Sequence, residues 1–237
     1  MSEYIYGKNT VREAINANKN IYKLFLTSNN KEIINLAKNN KIDYKIVSNN
    51  EIDKIIKTNH QGVIAEVLEY RYYSLEEILE IPKGDYPFII ILDGLKDPHN
   101  LGAVLRICDA AGVDGVIIPK RRSVGLNNTV AKVSTGAIEY VKVAEVTNIT
   151  NTIKGLKTKG FWIVGAEATE SAIYYDQIDY KVPIALVIGS EGEGISRLVL
   201  KNCDYIAKIP MYGKINSLNA SVSCGILVYQ ILKNRKE

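Results

Sequence analysis

Residues 184–196 read IALVIGSEGEGIS, an unbroken apolar run that ends in a loop of three glycines (Gly189, Gly192, Gly194) and two glutamates (Glu191, Glu193). An apolar run without polar alternation marks a strand buried on both faces. Five further mainly apolar runs, FIIILDG, GVIIP, VKVAEV, FWIVGAE and YIAKIP, lie beyond residue 87, with helical stretches between them. Such strands alternating with helices predict a parallel sheet in an α/β domain, with ligands gathered beyond the carboxyl ends of the strands. The glycine loop lies at one of those ends.

The loop is neither of the common nucleotide cradles. Its glycines are ordered G-x-x-G-x-G and follow a late strand, whereas the dinucleotide fingerprint is G-x-G-x-x-G after an early one. No P-loop exists, because neither Gly7-Lys8 nor Gly213-Lys214 is followed by Ser or Thr. Carboxylates at Glu191 and Glu193 would repel a phosphate, so a neutral or cationic ligand is expected. Two other strand ends carry polar, glycine-containing loops that lead into helices: LDGLKDPHNLGAVLRICDAAG at 92–112 and IPMYGKINSLNASVSCGILVYQIL at 209–232. Convergence of the three loops on one pocket follows.

The 237 residues, 46% apolar and 24% charged, are the composition of a soluble globular protein long enough for two domains. No stretch is apolar enough to span a bilayer and the first residues lack a signal-peptide pattern, so a cytoplasmic location and no membrane partner are expected. Cys108, Cys203 and Cys224 are scattered and never form a C-x-x-C pair, and His60 and His99 each stand alone. No metal is expected. A net charge of +4 does not by itself force polyanion binding. The most basic patch, KRRS at 120–123, reads as a solvated loop.

Residues 1–70 form a small α/β module in which TVREAINAN, KEIINLAKNN and NEIDKII have helical period, and YKLFLTS, YKIV and GVIAEV read as strands. Thr10 and Glu13 have the spacing of a capping box at the first helix. Residues 71–86, mixing aromatics, charge, prolines and a glycine, read as a linker with a helical turn around SLEEILE, and residues 87–237 are the second domain.

The three loops resemble the three motifs of the SpoU (TrmH-like) group of SPOUT RNA methyltransferases: N-x-G-x-x-x-R as NLGAVLR, G-x-E-x-x-G as GSEGEG, and the terminal IPMYGKINSLNASVS. YGKNTVREAI and NHQGV in the leading domain are similar to the ribosomal-protein-like RNA-binding module of the subgroup that methylates a guanosine ribose in 23S ribosomal RNA. The resemblance implies a parallel-sheet SPOUT domain with a deep trefoil knot, a homodimer, S-adenosyl-L-methionine as cofactor and RNA as substrate. It places cofactor contacts at Gly189, Ile209 and Leu218, and catalytic groups at Asn100, Arg106, Glu191, Ser217 and Asn219. The activity implied is guanosine 2′-O-methylation in ribosomal RNA. Transfer RNA is the alternative substrate, and an inactive RNA-binding ribosome-assembly factor is the alternative of another class.

Read without the motifs, these residues have plainer roles. Arg106 points away from the apolar stripe Leu101, Val104, Leu105 and Cys108, as a solvated arginine would. Asn100 would cap its helix, Glu191 would sit at the start of the next one, and residues 217–219 would open the last. The final helix, apolar nearly all round beyond residue 225, is expected to be buried. For a catalytic arginine, a general-base role is costly, since bringing an arginine from about 12.5 to near 8 takes roughly 6 kcal/mol. An electrostatic role, holding a phosphate and the developing 2′-oxyanion, is expected instead.

Overall fold

The computed structural model describes every residue except Met1, Ala17, Asn18, Asn20, Glu69, Ile81, Lys83 and Glu237. The chain divides into two compact units, Met1–Tyr70 and Arg71–Glu237.

In the first unit, strands β1 (Ser2–Tyr6), β2 (Ile21–Leu26), β3 (Tyr44–Ile46) and β4 (Val63–Leu68) form a sheet of order β1-β4-β2-β3, flanked by helices α1 (Lys8–Asn16), α2 (Lys31–Asn39) and α3 (Asn49–Ile55). Strand β4 pairs antiparallel with β1 and β2, while β2 and β3 run parallel. Val63, Ala65 and Val67 put every second side chain of β4 into a core shared with Val11 and Ile15 of α1 and Ile33 and Ala37 of α2. The expected cap of α1 does not form. The helix starts at Lys8, whose amide donates to Gln61 Oε1 at 3.1 Å, so Thr10 lies inside the first turn. Ala17 and Asn18, expected in this helix, lie outside the described residues. Strand β1 has no counterpart in the sequence reading.

The second unit is built on seven strands, β5 (Phe88–Asp93), β6 (Gly115–Pro119), β7 (Val143–Val146), β8 (Trp162–Ala166), β9 (Ile173–Tyr174), β10 (Ile184–Gly189) and β11 (Tyr205–Lys208). Their order is β7-β6-β5-β10-β8-β11-β9 and every pairing is parallel. Around them lie α4 (Leu75–Leu79), α5 (Pro98–Ala111), α6 (Asn128–Ser134), α7 (Ile149–Thr158), α8 (Arg197–Leu200) and α9 (Ala220–Lys236). The central strands β5 and β10 are buried on both faces, which is why their sequences do not alternate. Ile89 and Ile91 of β5 and Ala185 and Val187 of β10 face Ile153 and Leu156 of α7.

Within the stretch expected as a linker, Ser74 and Glu77 make a reciprocal capping box on α4, and Ile78 is 1% exposed in that same core. Gly115 lies under it: a Cβ there would stand 2.7 Å from Ile78 Cγ2. The backbone amide of Tyr73 donates to Val143 O at 2.8 Å, so residues 71–79 are packed onto the sheet's β7 edge. Helix α9 is not buried all round. Cys224, Leu227, Val228 and Ile231 face inward, while Val222 (49% exposed) and Tyr229 (55%) face solvent.

Candidate active site

The glycine loop at the end of β10 is folded tightly against its own strand. Ser190 and Gly194 exchange both backbone hydrogen bonds, each 3.0 Å. A Cβ on Gly189 would lie 2.2 Å from the carbonyl carbon of Gly194 and 2.4 Å from the amide nitrogen of Ile195, so no side chain fits there. Gly194 has φ +67°, a conformation open to glycine, and a Cβ would meet the Glu167 carboxylate at 2.6 Å. Both neighbouring strand ends hold the loop. The amide of Ile195 donates to Glu167 Oε2 beyond β8 at 3.0 Å, and that of Ser196 donates to Asp93 Oδ2 at the end of β5 at 2.7 Å.

Three polar side chains from the three loops meet beside it. Helix α5 is capped by Asp97, whose Oδ1 accepts from the His99 amide at 2.9 Å, with Pro98 at the first helical position. Asn100 is therefore not the cap. It sits in the first turn, 5% exposed, and its Nδ2 donates to Glu191 Oε1 at 2.9 Å. Asn219 Nδ2 donates to Asn100 Oδ1 at 2.9 Å and to Glu191 Oε1 at 2.6 Å. Its Oδ1 accepts from the amides of Ser221 and Val222 at 2.9 and 3.3 Å, so Asn219 also caps α9. Glu191 opens no helix, since α8 begins only at Arg197.

A cavity of ≈ 580 Å³ opens at the carboxyl ends of β8, β10 and β11. Gly189, Glu191, Ile209, Ser217, Leu218 and Asn219 all line it. Asn100 stands one hydrogen bond behind the wall. Arg106 is exposed on α5 and does not line the cavity. Six residues after Asn100, it is rotated about 120° around the helix from it. The thiols of Cys203 and Cys224 are pushed up to about 12 by burial, which keeps them protonated and unfit as nucleophiles.

The family model described as "SpoU rRNA Methylase family" matches residues 87–229. The chain belongs to that family. The model described as "RNA 2'-O ribose methyltransferase substrate binding" matches residues 4–73 of this SpoU chain. The chain is 44% identical to a Bacillus subtilis protein named for the TrmH family of tRNA/rRNA methyltransferases, over 98% of this chain and 96% of that protein. A Staphylococcus aureus protein carrying the same family name is 46% identical over the same shares. The SpoU methyltransferase AviRb of Streptomyces viridochromogenes, solved with AdoMet, shares the fold with a TM-score of 0.70 at 21% identity, over 99% of this chain and 91% of that one. The A. aeolicus TrmH/SpoU tRNA modifying enzyme aligns at 30% identity with a TM-score of 0.60, over 68% of this chain and 81% of that one.

The glycine in the first SpoU motif has a packing reason. A Cβ on Gly102 would lie 2.7 Å from Val133 Cβ and 3.0 Å from Val130 O, so the glycine lets α6 close onto α5. Sequence reading passed over Glu167, Lys208, Met211 and Asn216, which also line the cavity. Glu167 was findable, because it ends an apolar run as Asp93 does and holds the glycine loop from the other side.

Proposed function

We propose that the protein is a cytoplasmic, S-adenosylmethionine-dependent RNA ribose 2′-O-methyltransferase whose target is a guanosine in 23S ribosomal RNA. Residues 1–70 select the RNA and residues 87–237 carry the reaction. The observation that carries this reading is the cavity at the glycine loop. Its ≈ 580 Å³ falls in the roughly 300–1,000 Å³ range of small-molecule sites. Glu167 and Glu191 put carboxylates on its wall, which suits a sulfonium cation and disfavours a phosphate. The residues thus fit S-adenosylmethionine, with Gly189, Ile209 and Leu218 holding it through their backbone and Glu191 nearest the charge. Bound there, the cofactor supplies an electrophilic methyl group.

The chain's own work is alignment, which in-line transfer to a hydroxyl needs more than it needs a metal. Asn100 and Asn219 both donate to Glu191 Oε1 and so fix the carboxylate. Ser217, exposed at the cavity, and Asn219 contact the ribose. Arg106 stabilises the developing 2′-oxyanion and holds an adjacent phosphate. Because Arg106 lies outside the cavity wall, the reading includes a homodimer in which the partner subunit's Arg106 reaches the site. Exposed Val222 and Tyr229, one heptad apart on α9, support an apolar subunit contact. The trefoil knot belongs to the same reading. It is supported by the last segment, which lines the cavity and then returns as α9 to pack on α5 and β10.

Transfer of labelled methyl to unmodified ribosomal RNA and to transfer RNA, followed by nucleoside analysis, tests the proposal. A 2′-O-methylguanosine in ribosomal RNA is the expected product. Label in transfer RNA alone would move the target, and no transfer to either RNA by protein that binds the cofactor would favour an assembly factor.

A further inference from the structure

The loop after β6 is more than a solvated turn. Lys120, Arg121 and Arg122 are consecutive and exposed, and among the described residues none of their side chains has an ion-pair or hydrogen-bond partner. Their backbone is nevertheless fixed at several points. The amide of Lys120 donates to Val146 O at 2.8 Å, Ser123 Oγ and the amide of Val124 donate to Leu95 O at 2.9 and 2.8 Å, and the amide of Leu126 donates to the Tyr72 hydroxyl at 2.7 Å. Arg122 is held at φ +61°, a left-handed conformation that costs a non-glycine residue about 1 kcal/mol. A strained, tethered loop that aims three unpaired cations into solvent has the form of a preorganised anion site.

Its position says which anion. Strand β6 runs parallel to β5, so the loop emerges at the same end of the sheet as the cavity. Leu95, to which it is bonded, belongs to the same segment as the Asp97 cap and Asn100. Lys96 in that segment is already paired with Glu193 at 3.7 Å. The cavity wall itself carries Glu167 and Glu191, which would repel a nucleic-acid backbone. A substrate RNA must bring its ribose to that acidic wall while its phosphates find positive charge beside it. We propose that Lys120, Arg121 and Arg122 form a phosphate track for the RNA strand next to the reacting ribose, a positioning site distinct from the cofactor cavity. The inference rests on the RNA-methyltransferase reading.

The test compares wild type with Lys120→Ala/Arg121→Ala and with Arg122→Asn, asparagine being tolerated at positive φ. Affinity for unmodified ribosomal RNA is measured by filter binding from low to high salt, together with kcat, KM and cofactor affinity by calorimetry. The double variant should raise KM for RNA about tenfold and flatten the slope of log affinity against log salt by about 0.7 per lost contact. Cofactor affinity should stay unchanged, and Arg121→Lys should keep the wild-type slope. An unchanged slope in the double variant, or a loss of affinity independent of salt, overturns the track. RNA binding is read without turnover, so a wild type that methylates nothing would defeat the functional reading while leaving the track supported if the slopes still differ.

Discussion

Single residues in this protein act at distances that sequence spacing does not reveal. Asn100 and Glu191 are 91 positions apart and Asn100 and Asn219 are 119 apart, yet one hydrogen-bonded set contains all three. Each residue is legible from the motif that contains it. That they share one carboxylate is not, because a local reading assigns each to its own helix end, and two of those assignments fail: Asp97 takes the cap on α5, and Glu191 caps nothing. Arg106 shows the opposite case: its helical spacing reads as a solvated arginine, the resemblance makes it a catalytic group, and it stands exposed outside the cavity wall. If it works by fixed charge, Arg106→Ala should cut methyl transfer roughly 100-fold or more with cofactor affinity unchanged. Arg106→Lys separates the mechanisms, because lysine's reference pKa of about 10.4 makes deprotonation easier than for arginine. Single-turnover rates against pH should stay low for the lysine variant; recovery toward wild type at alkaline pH would assign a general base instead.

At the scale of elements, the apolar runs of the second unit were readable because central parallel strands are buried on both faces. The edges were harder. β9 is two residues long, too short to carry a period, and 71–86 reads as a linker because a five-residue helix contributes only one side chain, Ile78, to the deep core. The end of α9 hides a further device. Arg235 donates to four backbone carbonyls, those of Tyr180 (2.9 Å), Tyr86 (2.7 Å), Val182 (2.8 Å) and Pro87 (3.4 Å), and its guanidinium lies 5.2 Å from the centre of the Phe88 ring. Burial lowers its pKa from the ordinary value, but the carbonyls around it accept from the charged fork. One side chain thus ties the last helix to the segments that enter β5 and β10. Arg235→Ala leaves those carbonyls without a donor and should destabilise the fold by about 2–4 kcal/mol. Arg235→Lys keeps the charge, loses the planar fork and should recover less than half of that. Urea midpoints at constant m-value measure both, and a loss below about 0.5 kcal/mol for the alanine variant would show that the clamp contributes little.

For the whole molecule, the question is where the arginine comes from. The cavity belongs to residues 166–227, and Arg106 stands outside its wall. A homodimer in which each cavity takes its arginine from the partner subunit makes a quantitative prediction. Gly189→Ala should abolish cofactor binding, because its Cβ would stand 2.2 Å from the Gly194 carbonyl carbon, while leaving Arg106 intact. Arg106→Ala should bind cofactor and lack the guanidinium. Each variant alone should be inactive. Mixed in equal amounts and allowed to exchange, half of the dimers become heterodimers, and one of the two sites in each has both an intact cavity and an arginine across the interface. Activity should then return to about a quarter of wild type. Light scattering on the mixture should give twice the 26.4 kDa chain mass. If the arginine serves its own subunit's cavity, no heterodimer site is complete and the mixture stays inactive at any ratio. That outcome, in a sample shown to exchange subunits, would remove the partner from the reaction and require α5 or the RNA to bring Arg106 to the site within one chain.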